Sequence, residues 1–169
     1  SWVVILAYVR VLKPLRTMRT PYRVREVIAE RGDAWTLVLD PDGHRGLPDF
    51  QPGQFVWMSL RRSPFALAEH PFSISSSPRT SGQVQLTIKE LGDFSRTIKT
   101  VRPGERAYLD GPYGAFSFDR YPAAGYVFIA GGIGSAPMMS MLRALADRRD
   151  TRPHLLVLAN SSWDRITFR

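Results

Sequence analysis

The sequence predicts an antiparallel β-barrel that leads into a truncated α/β segment, with the end of a membrane helix at the N-terminus. Short strand-like segments separated by turns fill residues 21–116, as is typical of a barrel. An apolar strand, a glycine-rich turn and a helix follow from residue 126. An apolar run with a basic flank precedes the barrel. We therefore divide the chain into residues 1–19, 20–120 and 121–169.

The first residues form an uninterrupted apolar run from Trp2 to Val9. A helix that spans a bilayer needs about 20 apolar residues, so this run is too short to span one alone. We interpret it as the last turns of a membrane helix that begins before Ser1, with the basic flank on the cytoplasmic side. The alternative is an ordinary buried helix. The basic flank consists of Arg10, Lys13, Arg16, Arg19, Arg23 and Arg25.

Charge and composition exclude several kinds of site. The net charge is +8, but residues 1–25 contain six basic residues and no acid, so the rest of the chain is nearly balanced. No basic groove for nucleic acid is expected. The absence of cysteine excludes disulfides, zinc thiolate sites and Fe–S clusters in this stretch. The three histidines, His44, His70 and His154, lack metal-ligand spacing, so no metal site is predicted.

The barrel is predicted to begin with a hairpin of strands 22–29 and 34–39, with its turn at 31–33. Further strands are expected at 54–60, 72–75, 83–89 and 107–109, and a short helix at 94–100. The strand at 83–89 alternates, with Val84, Leu86 and Ile88 on one face. Six strands at this spacing favour a closed or nearly closed barrel.

The α/β segment is predicted to contain strand 126–130, helix 136–149 and strand 155–159. Both strands are apolar throughout, as in a parallel sheet that is buried on both faces. Pro137 suits the first turn of the helix, where a missing N–H costs little. Two parallel strands and one helix cannot cover their own apolar faces. We therefore expect an uncovered sheet surface and a chain that continues beyond residue 169.

Four clusters of residues indicate chemistry. The run His70-Pro71-Phe72-Ser73 combines an imidazole, an aromatic plate and a hydroxyl, which suit an anion, a planar ring and a polar ring edge. Its alternative interpretation is a barrel strand with a core phenylalanine and solvated serines. The segment from Lys89 through Gly92 to Ser95 suits a phosphate. Its alternative is a surface helix capped by Asp93 or Ser95.

The other two clusters are turns. Gly111-Pro112-Tyr113-Gly114 is predicted to be a turn after a strand, with Tyr113 available for stacking. The run Gly131-Gly132-Ile133-Gly134 joins a strand to a helix, where bare backbone and a helix N-terminus can bind an anion. A tight strand-to-helix turn without a ligand is the alternative.

In their order along the chain, the four clusters resemble the ferredoxin-reductase superfamily, most closely its membrane ferric reductase and NADPH oxidase branch. That family has an HPFS/T strand, a Lys-x-x-Gly-x-x-Ser/Thr segment, Gly-Pro-Tyr/Phe-Gly and a Gly-Gly-x-Gly-x-x-Pro loop. The same order occurs here at 70–73, 89–95, 111–114 and 131–137. The resemblance covers residues 20–169 and implies an FAD-binding barrel followed by a nicotinamide-binding segment.

The resemblance implies roles for the flavin strand. His70 would face the FAD pyrophosphate, Pro71 would belong to the same site, and Phe72 would pack near the isoalloxazine or ribityl chain. Ser73 would hydrogen-bond the flavin edge near N5 and tune it. Tyr113 would lie close to the cofactor. The family commonly has Arg in place of His70 in its soluble members, which favours the membrane branch.

The resemblance assigns the phosphates and the nicotinamide to other residues. Lys89, Gly92 and Ser95 would hold the FAD pyrophosphate. The floor for the nicotinamide cofactor would be formed by Gly131, Gly132, Gly134 and Pro137. The final Cys-Gly segment of the family, its C-terminal aromatic and the strands that select NADH or NADPH are not in the sequence. The histidines that bind haem would lie before Ser1.

The activity implied is hydride transfer from NAD(P)H to FAD, then single-electron transfer to membrane haem and on to ferric iron or oxygen. The flavin domain of such a membrane-anchored protein would lie on the cytoplasmic side. Two alternatives stay open: a soluble flavin reductase that serves a ferredoxin or an oxygenase, and a non-enzymatic membrane-associated barrel without flavin. By itself the segment is expected to be inactive, because its hydride-donor site is incomplete.

Overall fold

A computed structural model describes residues 2–65, 68–80 and 82–168. Six strands form one antiparallel sheet in the order β4-β3-β6-β1-β2-β5. The sheet curls until its edge strands meet at a bridge between Ile74 and Leu86. The strands are β1 Pro21–Glu30, β2 Ala34–Pro41, β3 Phe55–Leu60, β4 His70–Ser73, β5 Val84–Lys89 and β6 Arg106–Tyr113.

The barrel core is built by strand alternation. Val84, Leu86 and Ile88 of β5 are all buried, which confirms the predicted inward face. They join a cluster that includes Leu37 and Met58 from neighbouring strands. The predicted hairpin is also confirmed, since β1 pairs with β2 from Tyr22↔Pro41 to Glu30↔Ala34. The sheet therefore forms because apolar side chains alternate along each strand and converge on one interior.

The prediction of a turn at 111–114 is wrong. Strand β6 continues through Gly111 and Pro112 to Tyr113, which pairs with Phe55 of β3. A register shift between Phe55 and Trp57 accommodates the proline, which has no N–H for the ladder. A side chain at residue 111 would meet Val56 Cγ1 at 3.0 Å, so glycine allows the close approach of the two strands.

The α/β segment consists of β7 Tyr126–Gly131, helix α4 Ser135–Asp147 and β8 His154–Ala159. β7 and β8 pair in parallel, as predicted. Phe128 is buried beneath α4, whereas Val127 and Ile129 are 63% and 68% exposed on the other face. The prediction of an uncovered sheet surface is confirmed. On the helix, Ala146 is exposed, whereas the polar Ser140 lies on the buried face.

The N-terminal segment is helical, and its first part, residues 2–12, is exposed throughout. Helix α1 Trp2–Ala7 runs through a π-helical turn, Tyr8–Leu12, into α2 Lys13–Met18. The π-turn lies just before Pro14, whose ring and missing N–H disturb the α-helical ladder. No described side chain from Trp2 to Leu12 is buried, so the described residues do not form the buried helix of the alternative. Among the described helices, none combines the length and apolarity needed to cross a bilayer.

Candidate functional site

One row of side chains across the sheet joins two of the predicted clusters. Phe55 of β3 pairs with Ser73 of β4 on one side and with Tyr113 of β6 on the other. Adjacent strands lie about 4.8 Å apart, so Ser73 and Tyr113 are about 10 Å apart across this row. The register of the sheet thus brings the HPFS strand and the Gly-Pro-Tyr-Gly segment to the same end of the barrel.

A layer of aromatic rings lies beside this row. The His70 ring stacks on Phe94 with a centroid distance of 3.8 Å and an interplanar angle of 18°. Phe72 lies nearly parallel to Phe94 at 6.0 Å. All three rings are half-buried, so they offer a flat apolar surface that still reaches solvent. Phe94, in helix α3 Asp93–Arg96, was missed by the sequence analysis, and its position two residues after Gly92 was the signal available.

A cavity of about 380 Å³ opens next to this aromatic layer. Its wall includes His70, Phe94 and two arginines. Arg61 is held by Glu105 and by Thr100, whereas Arg62 is exposed and has no side-chain partner among the described residues. The hydrogen bond from Arg61 lowers the pKa of Glu105, so that pair stays charged at neutral pH. The free guanidinium of Arg62 is therefore available to an anionic group in the cavity.

The Lys-x-x-Gly-x-x-Ser segment is arranged around α3. The half-buried Lys89 ammonium has no partner among the residues that the structure describes. The Ser95 hydroxyl accepts hydrogen bonds from the backbone N–H groups of Leu91, at 2.8 Å, and Gly92, at 2.9 Å. Ser95 therefore orders the turn, and Lys89 is the cation left free at this edge of the barrel.

Tyr113 belongs to a charged network rather than standing free. Its hydroxyl donates to Asp110 at 2.9 Å. The Asp110 carboxylate also lies 3.0 Å from Lys13 of α2, which contacts Glu69 at 2.6 Å. Partial burial raises the pKa of Tyr113 to about 12, and the hydrogen bond to Asp110 makes a smaller contribution in the same direction. The phenol is therefore neutral at physiological pH and fixed by its acceptor.

The glycine-rich loop lies beside the same barrel. Gly132 to Gly134 form a short 3₁₀ turn, and Gly132 has a φ of +51°. The Ser135 hydroxyl donates to the Gly132 carbonyl at 2.9 Å and orders the turn before α4. Pro137 lies in the first turn of that helix, where its missing N–H costs no helical hydrogen bond. The turn packs near strand β5, so the predicted nicotinamide floor lies on the barrel side that carries Lys89.

The residues present fit FAD. An isoalloxazine or adenine ring needs a flat apolar surface, and the His70–Phe94 stack with Phe72 supplies one. A pyrophosphate needs cations without partners, and Lys89 and Arg62 are such cations. The Ser73 hydroxyl makes no side-chain hydrogen bond within the described residues, so it is free for a polar ring edge. FAD, when bound, accepts a hydride and passes electrons on one at a time.

Two protein families match the chain by sequence. A family model described as an FAD-binding domain matches residues 44–117. A second model, described as an oxidoreductase NAD-binding domain, matches residues 128–169. The two matches follow one another in the order of the clusters described above. The chain belongs to the ferredoxin-reductase-type superfamily, and it contains FAD-binding and NAD-binding domains.

Curated relatives of the chain include subunits of larger redox systems. It is 34% identical over 121 residues to the sulfhydrogenase 2 subunit gamma of Pyrococcus furiosus. The aligned residues make up 71% of this chain and 40% of the relative. It is 31% identical over 142 residues to the reductase component of propane 2-monooxygenase from Rhodococcus jostii, covering 82% and 37%. The chain thus spans about 40% of the length of these relatives.

A solved structure shares the fold. The FAD/NAD-binding domain of the nitric oxide dioxygenase from Vibrio cholerae superposes with a TM-score of 0.76 at 23% sequence identity. The superposition covers 88% of this chain and 65% of that one. This similarity supports the predicted barrel and α/β arrangement.

Proposed function

We propose that the protein is a flavin-dependent NAD(P)H reductase that supplies electrons to a partner redox protein, such as an oxygenase or a hydrogenase component. The observation that carries this proposal is that Ser73, the His70–Phe94 stack and the glycine-rich loop lie on or beside β4 and β5, the two strands at which the barrel closes. Relatives named as a monooxygenase reductase component and a sulfhydrogenase subunit support this choice of partner.

The residues of this chain would bind and orient the cofactors. The Phe94 and His70 rings hold a planar ring, Lys89 and Arg62 compensate phosphate charge, and Ser73 presents a hydroxyl to the ring edge. The glycine turn leaves room for the nicotinamide cofactor, because three of its four positions carry no side chain.

Binding and reduction of FAD test the proposal. The full-length protein is expected to bind FAD, and NADH or NADPH is expected to bleach its visible absorbance under anaerobic conditions. Phe94→Ala removes the stacking surface and is expected to weaken FAD binding about tenfold, as measured by flavin fluorescence. Tyr121→Ala removes an exposed ring of similar size outside this site and serves as the control. Wild-type protein that neither binds FAD nor reacts with either nucleotide contradicts the proposal.

A second candidate function is the delivery of electrons through membrane haem to ferric iron or oxygen, with the flavin domain on the cytoplasmic side. The observation that favours it is the exposed apolar segment 2–12, in which Trp2 and Val3 are 82% and 73% exposed. Arginines at positions 16 and 19 follow it, and basic residues beside an apolar helix suit an anionic lipid surface.

Vesicle binding tests the second candidate. The full-length protein is expected to sediment with vesicles that contain an anionic phospholipid, because segment 2–12 buries its apolar side chains in lipid. Ile5→Asp is expected to reduce this binding, whereas Ile28→Asp, on an exposed barrel strand, leaves it unchanged. Equal sedimentation of both variants and the wild type, or no sedimentation of any of them, counts against a membrane role for this segment.

A further inference from the structure

Helix α4 is attached to the barrel by two polar side chains. The Ser140 hydroxyl donates to the Ser76 carbonyl at 2.7 Å. Arg143 Nη1 donates to the Ser75 carbonyl at 2.9 Å and to Gln85 Oε1 at 2.8 Å. Helical positions three apart lie on the same face, so both side chains reach the barrel together.

These contacts fall on the seam where the barrel closes. Beyond the bridge between Ile74 and Leu86, the Ser75 N–H donates to the Gln85 carbonyl at 2.8 Å. The Gln85 N–H donates to the Ser76 hydroxyl at 3.1 Å. Arg143 therefore binds acceptors from both sides of the seam, one on the continuation of β4 and one on β5.

The seam is buried and hydrogen-bonded, so the serines that follow the HPFS run are not solvated as the alternative interpretation expects. Ser75, Ser76 and Ser140 are between 0% and 1% exposed. Removing a donor here leaves a buried carbonyl without a partner, which is costly. Arg143 is itself half-buried, and the ring of Phe168 lies 5.7 Å from its guanidinium carbon.

A chain of hydroxyls holds Ser75 from the opposite direction. Thr36 donates to Glu30 at 2.6 Å, so its contact with Thr87 at 2.8 Å must be donated by Thr87. Thr87 in turn lies 2.9 Å from the Ser75 hydroxyl, which also donates to the Gln85 carbonyl at 3.1 Å. Ser75 is thus anchored to the barrel by its side chain and to α4 by its carbonyl.

On the basis of the proposed function, we propose that Ser140 and Arg143 are positioning residues that fix the nicotinamide segment against the flavin strand for hydride transfer. Ser75 lies two residues after Ser73, and the glycine turn lies at the start of the helix that carries both positioning residues. From Ser135 to Arg143 the helix rises about 12 Å. Because α4 is attached to the seam, its position determines the distance between the glycine turn and the proposed flavin site.

The reaction test uses the full-length protein with FAD bound. Arg143→Met keeps an unbranched apolar side chain in place of the arginine stem and removes both hydrogen bonds. It is expected to slow anaerobic reduction of the flavin by NAD(P)H between about tenfold and 100-fold, because a shift of the order of 1 Å misplaces the donor. FAD affinity and reduction by dithionite are expected to stay within about twofold of the wild type. Arg106→Met removes an exposed arginine without a described side-chain partner and serves as the matched control.

Hydrogen exchange tests the same contacts without any reaction. In Arg143→Met the amides of Ser75 and Gln85 are expected to exchange about tenfold faster, while amides in the β1–β2 pair are unaffected. Ser140→Ala removes one hydrogen bond and is expected to give a smaller effect in the same direction. If Arg143→Met unfolds the protein, Ser140→Ala still tests the attachment of α4, because it removes only one hydrogen bond.

The outcomes separate this proposal from the function on which it rests. Failure of the wild type to react with NAD(P)H, with seam exchange still altered by Arg143→Met, contradicts the function and leaves the attachment of α4 supported. A reactive wild type whose two variants keep normal flavin reduction and normal seam exchange contradicts the positioning role. Equal losses in Arg143→Met and Arg106→Met also contradict it, because the effect would then lack specificity for the seam.

Discussion

Lys13 illustrates how a single side chain connects distant parts of this fold. Its ammonium group lies between Glu69, which directly precedes the HPFS strand, and Asp110, which accepts the Tyr113 hydroxyl. Burial lowers the pKa of Lys13, but the hydrogen bonds to the two carboxylates outweigh it, so the pKa lies above its usual value. The charged form is thus favoured in the folded state, and helix α2 is fixed to the flavin end of the barrel.

Lys13→Met is expected to lower the free energy of unfolding by about 1–3 kcal/mol at pH 7, because two half-buried carboxylates lose their cation. Chemical denaturation monitored by circular dichroism measures this change. A raised pKa in the folded state means that the stabilisation is complete below the ordinary pKa of 10.5 and is lost as the pH rises further. The difference between variant and wild type should therefore shrink above that pH.

Arg19→Met is the control for Lys13→Met. Arg19 follows α2 and is exposed, and its side chain has no partner among the described residues. Its substitution is expected to change stability by less than about 0.5 kcal/mol. Equal unfolding free energies for the two variants would show that the contacts of Lys13 with Glu69 and Asp110 are not stabilising.

Among the elements, those with a local repeat could be predicted from the sequence. The inward face of β5 follows from alternation at Val84, Leu86 and Ile88, and its position is correct within one residue. The length of β6 could not be predicted, because Gly111 and Pro112 favour a turn locally. Only pairing with β3, which lies about 50 residues earlier, keeps this segment extended.

The candidate site likewise has features that local sequence predicts and features that depend on distant contacts. The ordered motifs predict which residues face the cofactor, including Ser73, because their chemistry is local, and this assignment stays a prediction. The aromatic partner Phe94 and the attachment through Ser140 and Arg143 depend on contacts between segments far apart in sequence. A polar residue on the apolar face of α4 is anomalous in a helix considered alone. It is explained only when the barrel seam supplies an acceptor.

At the scale of the whole molecule, the two sheets differ in how their faces are covered. The barrel encloses its apolar side chains, whereas the β7–β8 sheet buries one face under α4 and exposes the other. The exposed face carries apolar side chains and continues into a groove of about 350 Å³ lined by Phe116, Tyr121 and Ile129. In the 169-residue chain, contiguous apolar surface of this kind is expected to promote self-association.

Adjacent residues of β7 provide the final test. Val127 and Ile129 are exposed, whereas Phe128 between them is 5% exposed beneath α4. In the 169-residue chain, the double substitution Val127→Thr and Ile129→Thr is expected to change stability by less than about 0.5 kcal/mol. It is also expected to reduce self-association in sedimentation velocity, because the threonines keep β-branching but remove apolar contact surface.

Phe128→Ala serves as the opposite case and is expected to cost about 3–5 kcal/mol, because it leaves a cavity beneath α4. The substitutions are at neighbouring positions of β7, so the difference between their effects on stability shows which face of the strand is buried. A large loss of stability from the threonine pair, with unchanged association, would mean that the outer face is packed in solution. The sheet would then be covered on both faces, contrary to the uncovered surface expected for two strands and one helix.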